Sequence, residues 1–187
     1  MPAASWLVAI DLQPAFSDPE SPWFTPALPV ASETVAGLVP LFGDRVIFTR
    51  FVPSAQPAGS WGDYYRRWDF ALRPEADRLW ELDEPWRGRT SVSSHTFSKW
   101  AAVRDLIGPD AAVVLCGVST DCCVLATAWA AIDDGAWLRV VSDACAAKTP
   151  EAHEQALASL ASRAPQLAVV TSAEERERHR SPTPPGR

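Results

Sequence analysis

With 187 residues, 47% hydrophobic and 21% charged, the chain has the balance of a globular protein and the length for one domain with a sizeable core. Its 17 basic and 23 acidic residues leave a net charge of -6, without the basic excess that nucleic acid or an anionic membrane recruits. No apolar run approaches the ~20 residues needed to span a bilayer, so neither nucleic acid nor a membrane is an expected partner.

The opening, MPAASWLVAIDLQ, has neither the basic start nor the small-residue cleavage site of a secretory signal and is expected to be mature structure. Within it, residues 5–11 (SWLVAID) form a near-continuous apolar strand, as in a sheet covered on both faces. A helical pattern over about 30–41 leads to a second strand at 44–50 (DRVIFTR). Residues 51–88 mix Pro, Gly and aromatics and read as a long excursion over the sheet rim; ordered loops of this length are often functional. A weaker third strand at 89–94 precedes a helix at 98–107, with Ser98 as its N-cap and Gly108-Pro109 as its stop. The fourth strand, 111–117 (AAVVLCG), runs through the turn GVSTDCC into a helix at 121–134. A fifth strand at 136–143, a helix at 150–163 and a sixth strand at 166–172 complete a domain of residues 1–172. Residues 173–187, charged and then Pro-rich, read as a disordered tail. Strands alternating with helices specify an α/β fold. The expected form is a three-layer αβα sandwich around a six-stranded parallel sheet, in the common order 3-2-1-4-5-6.

In that order strands one and four are neighbours, and functional groups gather beyond their carboxyl ends, where strand order reverses. Asp11 closes the first strand, and the Gly117–Cys123 turn closes the fourth. Thr120 or Asp121 as N-cap places Cys122 and Cys123 in the first helical turn, where unpaired N–H groups and the helix dipole lower a thiol below its free pKa of ~8.5. The same N–H groups suit an oxyanion. A strand-end carboxylate is also often a simple cap, and a cysteine a small buried hydrophobe; Cys116 and Cys145 are assigned to that packing class. These residues alone do not choose between Cys122 and Cys123. No C-x-x-C repeat or histidine pair suggests zinc, and His95, His153 and His179 are scattered, so a reduced, cytoplasmic protein with no metal and no cofactor is expected.

The stretches VAIDLQPAF and GVSTDCCVLATAWAAIDDGAWLRVVSDA resemble the isochorismatase-like cysteine hydrolases, the family that includes nicotinamidases and related amidases. The likeness runs from about residue 5 to 172 and implies the six-stranded fold above. It selects Cys123 as nucleophile, with Cys122 at a variable position, and Asp11 as its proton acceptor. It implies a non-proline cis peptide at Val118-Ser119, aiming the backbone N–H groups of Ser119 and Cys123 at an oxyanion. The implied reaction is cleavage of a small-molecule C–N bond through a thioester acyl-enzyme. A homo-oligomer, dimer or tetramer, is also the family habit.

A lysine completes the family triad, and here the sequence departs. Strict register puts Ser94 at that site, while Lys99 lies five residues later at a helix start; the chain has only two lysines, Lys99 and Lys148. Lys99 is the favoured candidate, against an incomplete triad and a pseudoenzyme. The histidines that nicotinamidases carry after the second strand are also missing from TRFVPSAQPAGSWGDYYRRW, which argues against bound metal and against nicotinamide. Phe16, Trp23, Trp61 and Tyr65, with Tyr64 and Trp68, are the expected pocket walls; interface packing is the competing role for each. Two other functions remain open: vinyl-ether hydrolysis of the isochorismate type, which needs the aspartate but no thiol, and a non-catalytic ligand-binding or assembly module.

Overall fold

Six strands pair side by side, all parallel, in the order β3-β2-β1-β4-β5-β6. The computed structural model describes residues 5–108 and 112–180. The central strands are β1 (Ser5–Ile10) and β4 (Ala112–Val118), and every residue of β4 is buried. That burial explains why their sequences are continuous apolar runs rather than alternating ones. The flanking strands are β2 (Val46–Phe51), β3 (Ser91–Ser94), β5 (Trp137–Ala146) and β6 (Leu167–Val170). Order reverses between β1 and β4, so the crossover after β3 carries the chain to the far side of β1 and its helices to the opposite face.

Helix α1 (Pro14–Ser17) follows β1 directly, and α2 (Leu28–Leu38) packs over β4 and β5. Helices α4 (Trp100–Ile107), α5 (Leu125–Asp133) and α6 (Pro150–Ala161) contact one another in sequence. No helix of the described residues is long and apolar enough to cross a membrane.

Two segments differ from the sequence expectation. Residues 51–88 are not an open excursion: they contain α3 (Ser60–Arg67) and three 3-10 turns, at Asp69–Leu72, Pro74–Trp80 and Glu84–Trp86. Their short apolar repeats are broken by Pro and Gly, which hides the helical period, but aromatic packing holds them. Trp23 alone meets Phe51, Tyr64, Trp68, Phe70 and Trp80 at centroid distances of 5.1–6.1 Å. Likewise the tail expected to be disordered from residue 173 forms α7 (Ser172–Arg180). Its anchor is Glu175, fully buried and gripped by Arg139 of β5 through two bonds of 2.7 and 2.8 Å. Acidic residues in the first turn and basic ones in the last suit the helix dipole. Residues 181–187 of the expected tail lie outside the described residues.

Candidate active site

Asp11 leaves β1 with φ of 52°, the left-handed region where aspartate is among the better-tolerated side chains. The bend is held beside β4 by Gly117, which pairs with Ile10 and has φ of 107°. A Cβ built on Gly117 would strike the backbone O, N and C of Ile10, so only glycine lets the two strand ends approach this closely. Thr49 of β2 then fixes the carboxylate. Its hydroxyl donates to Asp11 Oδ1 at 2.7 Å and accepts from the Asp11 N–H at 3.2 Å.

The other carboxylate oxygen, Oδ2, lies 3.1 Å from Lys99 Nζ, with both side chains fully buried. The contact is an ion pair without hydrogen-bond alignment, and Oδ2 has no hydrogen-bond partner. The ammonium instead donates to Thr96 O at 2.6 Å and sits 4.8 Å from the centroid of the Phe51 ring. Lys99 occupies the N-cap position of α4, and its N–H donates to Thr127 Oγ1 at 2.9 Å. The Thr127 hydroxyl in turn donates to Cys123 O at 2.6 Å, coupling the start of α4 to the cysteine turn. Ser94, the residue that strict register would put in the lysine's place, pairs locally with Thr96 at 2.8 Å.

The peptide Val118-Ser119 is cis. Beyond it, Thr120–Val124 form a single π-helical turn, with Val124 N donating to Ser119 O, before α5 begins. Neither Thr120 nor Asp121 caps this turn: Ser119 occupies the N-cap position, and the Thr120 hydroxyl is 2.8 Å from His153 Nδ1. Cys123 is 4% exposed, whereas Cys122 is half-buried. The expected fall in thiol pKa is divided between them. A hydrogen bond from Cys123 lowers Cys122. That bond, then burial, then the Asp11 charge raise Cys123 well above its ordinary value, with Lys99 pulling it back. At rest, therefore, Cys123 is a protonated thiol in the field of the Asp11–Lys99 pair. Cys116 and Cys145 are buried; burial raises both, Cys145 to about 12.

Above the thiols opens a cavity of about 270 Å³. Phe16, Trp23, Phe51, Tyr64, Trp68 and Phe97 supply its apolar lining, and Ser119, Asp121, both adjacent cysteines and Lys148 also line it. Trp61 and Tyr65, expected on this wall, stand behind it: Trp61 packs on Tyr64 and Phe97, and Tyr65 is 3% exposed and stacks on Trp61. Three buried residues escaped the sequence reading, namely Thr49, Thr127 and Gln13. Gln13 clasps the site's frame by donating to Phe51 O and Trp80 O and accepting from Phe51 N. Thr127 lies four residues after Cys123, one helical turn on, which is the one sequence signal that pointed to it.

Sheet order and site together define a doubly wound α/β domain with Asp11 and the cysteine turn at the strand-order switch point. The isochorismatase domain model matches residues 5–175, and the chain belongs to that family of hydrolases. Solved structures share the fold. A cysteine hydrolase from Pseudomonas syringae pv. phaseolicola 1448A matches with a TM-score of 0.79 at 18% identity, covering 96% of this chain and 94% of that one. N-carbamoylsarcosine amidase from Thermoplasma acidophilum matches at 0.68 and 21% identity, covering 90% and 96%. Nicotinamidase/pyrazinamidase from Bacillus subtilis matches at 0.65 and 22% identity, covering 89% and 99%. No curated protein matches the sequence at a significant level.

Proposed function

We propose that the protein is a cysteine hydrolase that cleaves an amide-type C–N bond of a small molecule through a thioester acyl-enzyme. The observation that carries this reading is the state of Asp11. One carboxylate oxygen is pinned by Thr49, while the other is buried with no directed hydrogen bond, beside a buried ammonium and in the field of Cys123. An oxygen so placed is free to take a proton.

In the proposed reaction Asp11 accepts the proton of Cys123, and the sulfur attacks the amide carbon to form a tetrahedral intermediate. Backbone N–H groups of Ser119 and Cys123 hold its oxyanion. Collapse breaks the C–N bond as Asp11 returns the proton to the leaving nitrogen. Asp11 then deprotonates a water that attacks the thioester, and the departing sulfur regains its proton. Lys99 balances the aspartate charge through the cycle and keeps it in place. The aromatic wall favours a compact, partly apolar acyl group.

The test is incubation with a panel of small amides, read by intact mass for an acyl adduct on Cys123. Cys123→Ala should lose adduct and turnover, and Asp11→Asn should lose turnover. Hydrolysis of a vinyl ether that survives Cys123→Ala but not Asp11→Asn would replace this reading with isochorismatase-type chemistry.

A further inference from the structure

The cavity holds a polar group that the scheme above does not use. Tyr64, on α3, lines the cavity wall together with Cys122 and Cys123. Its ring is wedged between Trp61 (5.2 Å), Tyr65 (5.4 Å), Phe97 (5.6 Å) and Trp23 (6.1 Å), so the hydroxyl has little freedom to turn away. Among the described residues that hydroxyl has no hydrogen-bond partner. A phenol fixed by ring packing at a cavity wall, without a protein acceptor, is available to donate to whatever occupies the cavity.

We propose that the Tyr64 hydroxyl donates a hydrogen bond to the negative charge of the reaction, first at the Cys123 sulfur and then at the carbonyl oxygen of the tetrahedral intermediate. The inference rests on the hydrolase reading for its second half. In that chemistry charge moves from sulfur to an oxygen two bonds away, so one fixed donor serves both positions without reorganising. Burial raises the Tyr64 hydroxyl far above the usual phenol range, and the two neighbouring thiols add to the effect. It therefore keeps its proton while the sulfur loses its own, as a donor to an anion must. The Tyr64 hydroxyl would add a side-chain donor to the backbone N–H groups of the cysteine turn.

The experiment compares wild type, Tyr64→Phe and Tyr65→Phe, the last removing a hydroxyl that lies outside the cavity wall. Each is reacted with 4-nitrophenyl acetate, whose leaving group needs no proton, and with 4-nitroacetanilide, whose leaving group does. The expected result is a loss of about 100-fold in kcat/KM for Tyr64→Phe on both probes, with Tyr65→Phe unchanged. A loss confined to the anilide assigns the hydroxyl to the leaving nitrogen and overturns the proposal; so does no loss on either probe. Alkylation by iodoacetamide, mapped to each cysteine across pH, supplies the readout that needs no substrate. The midpoint for the cysteine pair should rise in Tyr64→Phe, and an unchanged midpoint also overturns the proposal. If wild type forms no adduct with either probe, the hydrolase reading falls, and the alkylation shift still decides whether Tyr64 donates to the sulfur.

Discussion

Replacing Lys99 by Met removes a charge while keeping a long apolar stem, and its cost follows from the geometry of the pair. At 3.1 Å, with both side chains fully buried, the Asp11–Lys99 attraction is about 5 kcal/mol at an effective dielectric of about 20. Most of that offsets the desolvation of the two ions, so the pair adds little net stability. Losing one partner is another matter, because it strands a buried charge at a cost of roughly 3–5 kcal/mol. For a chain of this size that lowers Tm by roughly 6–20 °C. Asp11→Asn should destabilise as well, though less: the amide keeps its bond from Thr49, and the ammonium keeps Thr96 O and the Phe51 ring. Removing both charges should recover much of the loss. Urea melts of the two single variants and the double variant measure the coupling directly. Costs that add within about 0.5 kcal/mol would refute the reasoning, since additivity means that water screens the pair.

Four further outcomes are expected. Gly117→Ala should destabilise by at least about 2 kcal/mol in urea melts, from its positive φ and its collision with Ile10, and should abolish turnover by displacing Asp11. Iodoacetamide should label Cys122 before Cys123 in peptide mapping, and Cys122→Ala should lower the alkylation midpoint of Cys123 by removing the hydrogen-bond partner that raises it. Thr127→Val should reduce turnover more than stability, by uncoupling Lys99 from the cysteine turn; equal turnover in the variant would deny that link. Burial holds His153 below its ordinary pKa of 6.5, so the folded state binds fewer protons there than the unfolded chain. Stability should then fall as pH drops from 6.5 through the folded value, and His153→Gln should flatten that part of the profile of urea midpoint against pH.

Asp11 and the cysteine turn were legible in the sequence because each terminates a buried strand, and parallel topology gathers such ends on one rim. Sheet order was legible for the same reason. Lys99 was harder: it stands at a helix start, and only the distance across the fold to Asp11 separates it from Ser94, the residue that register favours. The pocket wall depended on helix phase. Residues 61 and 65 mark one stripe of α3, and 64, with 68 just past the helix end, the adjacent one; a segment read as irregular has no phase to choose between them. Thr49 and Thr127 look like ordinary strand and helix threonines until Thr49 is found fixing Asp11 and Thr127 bridging the backbones of Lys99 and Cys123. The helix at 172–180 was hidden by its charge, since a polar run reads as solvated unless one of its acids is known to be buried opposite an arginine.

The left-handed backbone at Asp11 narrows what can occupy the position before any chemistry is considered. Short polar side chains settle there readily; longer and branched ones do not. Glutamate, the obvious alternative acid, would bring both an unfavourable conformer and an extra methylene into a space already closed by Thr49 and Lys99. Asparagine and glycine meet the conformational demand at this residue, and neither can carry a proton. The backbone itself thus restricts which acidic group can stand at the end of β1.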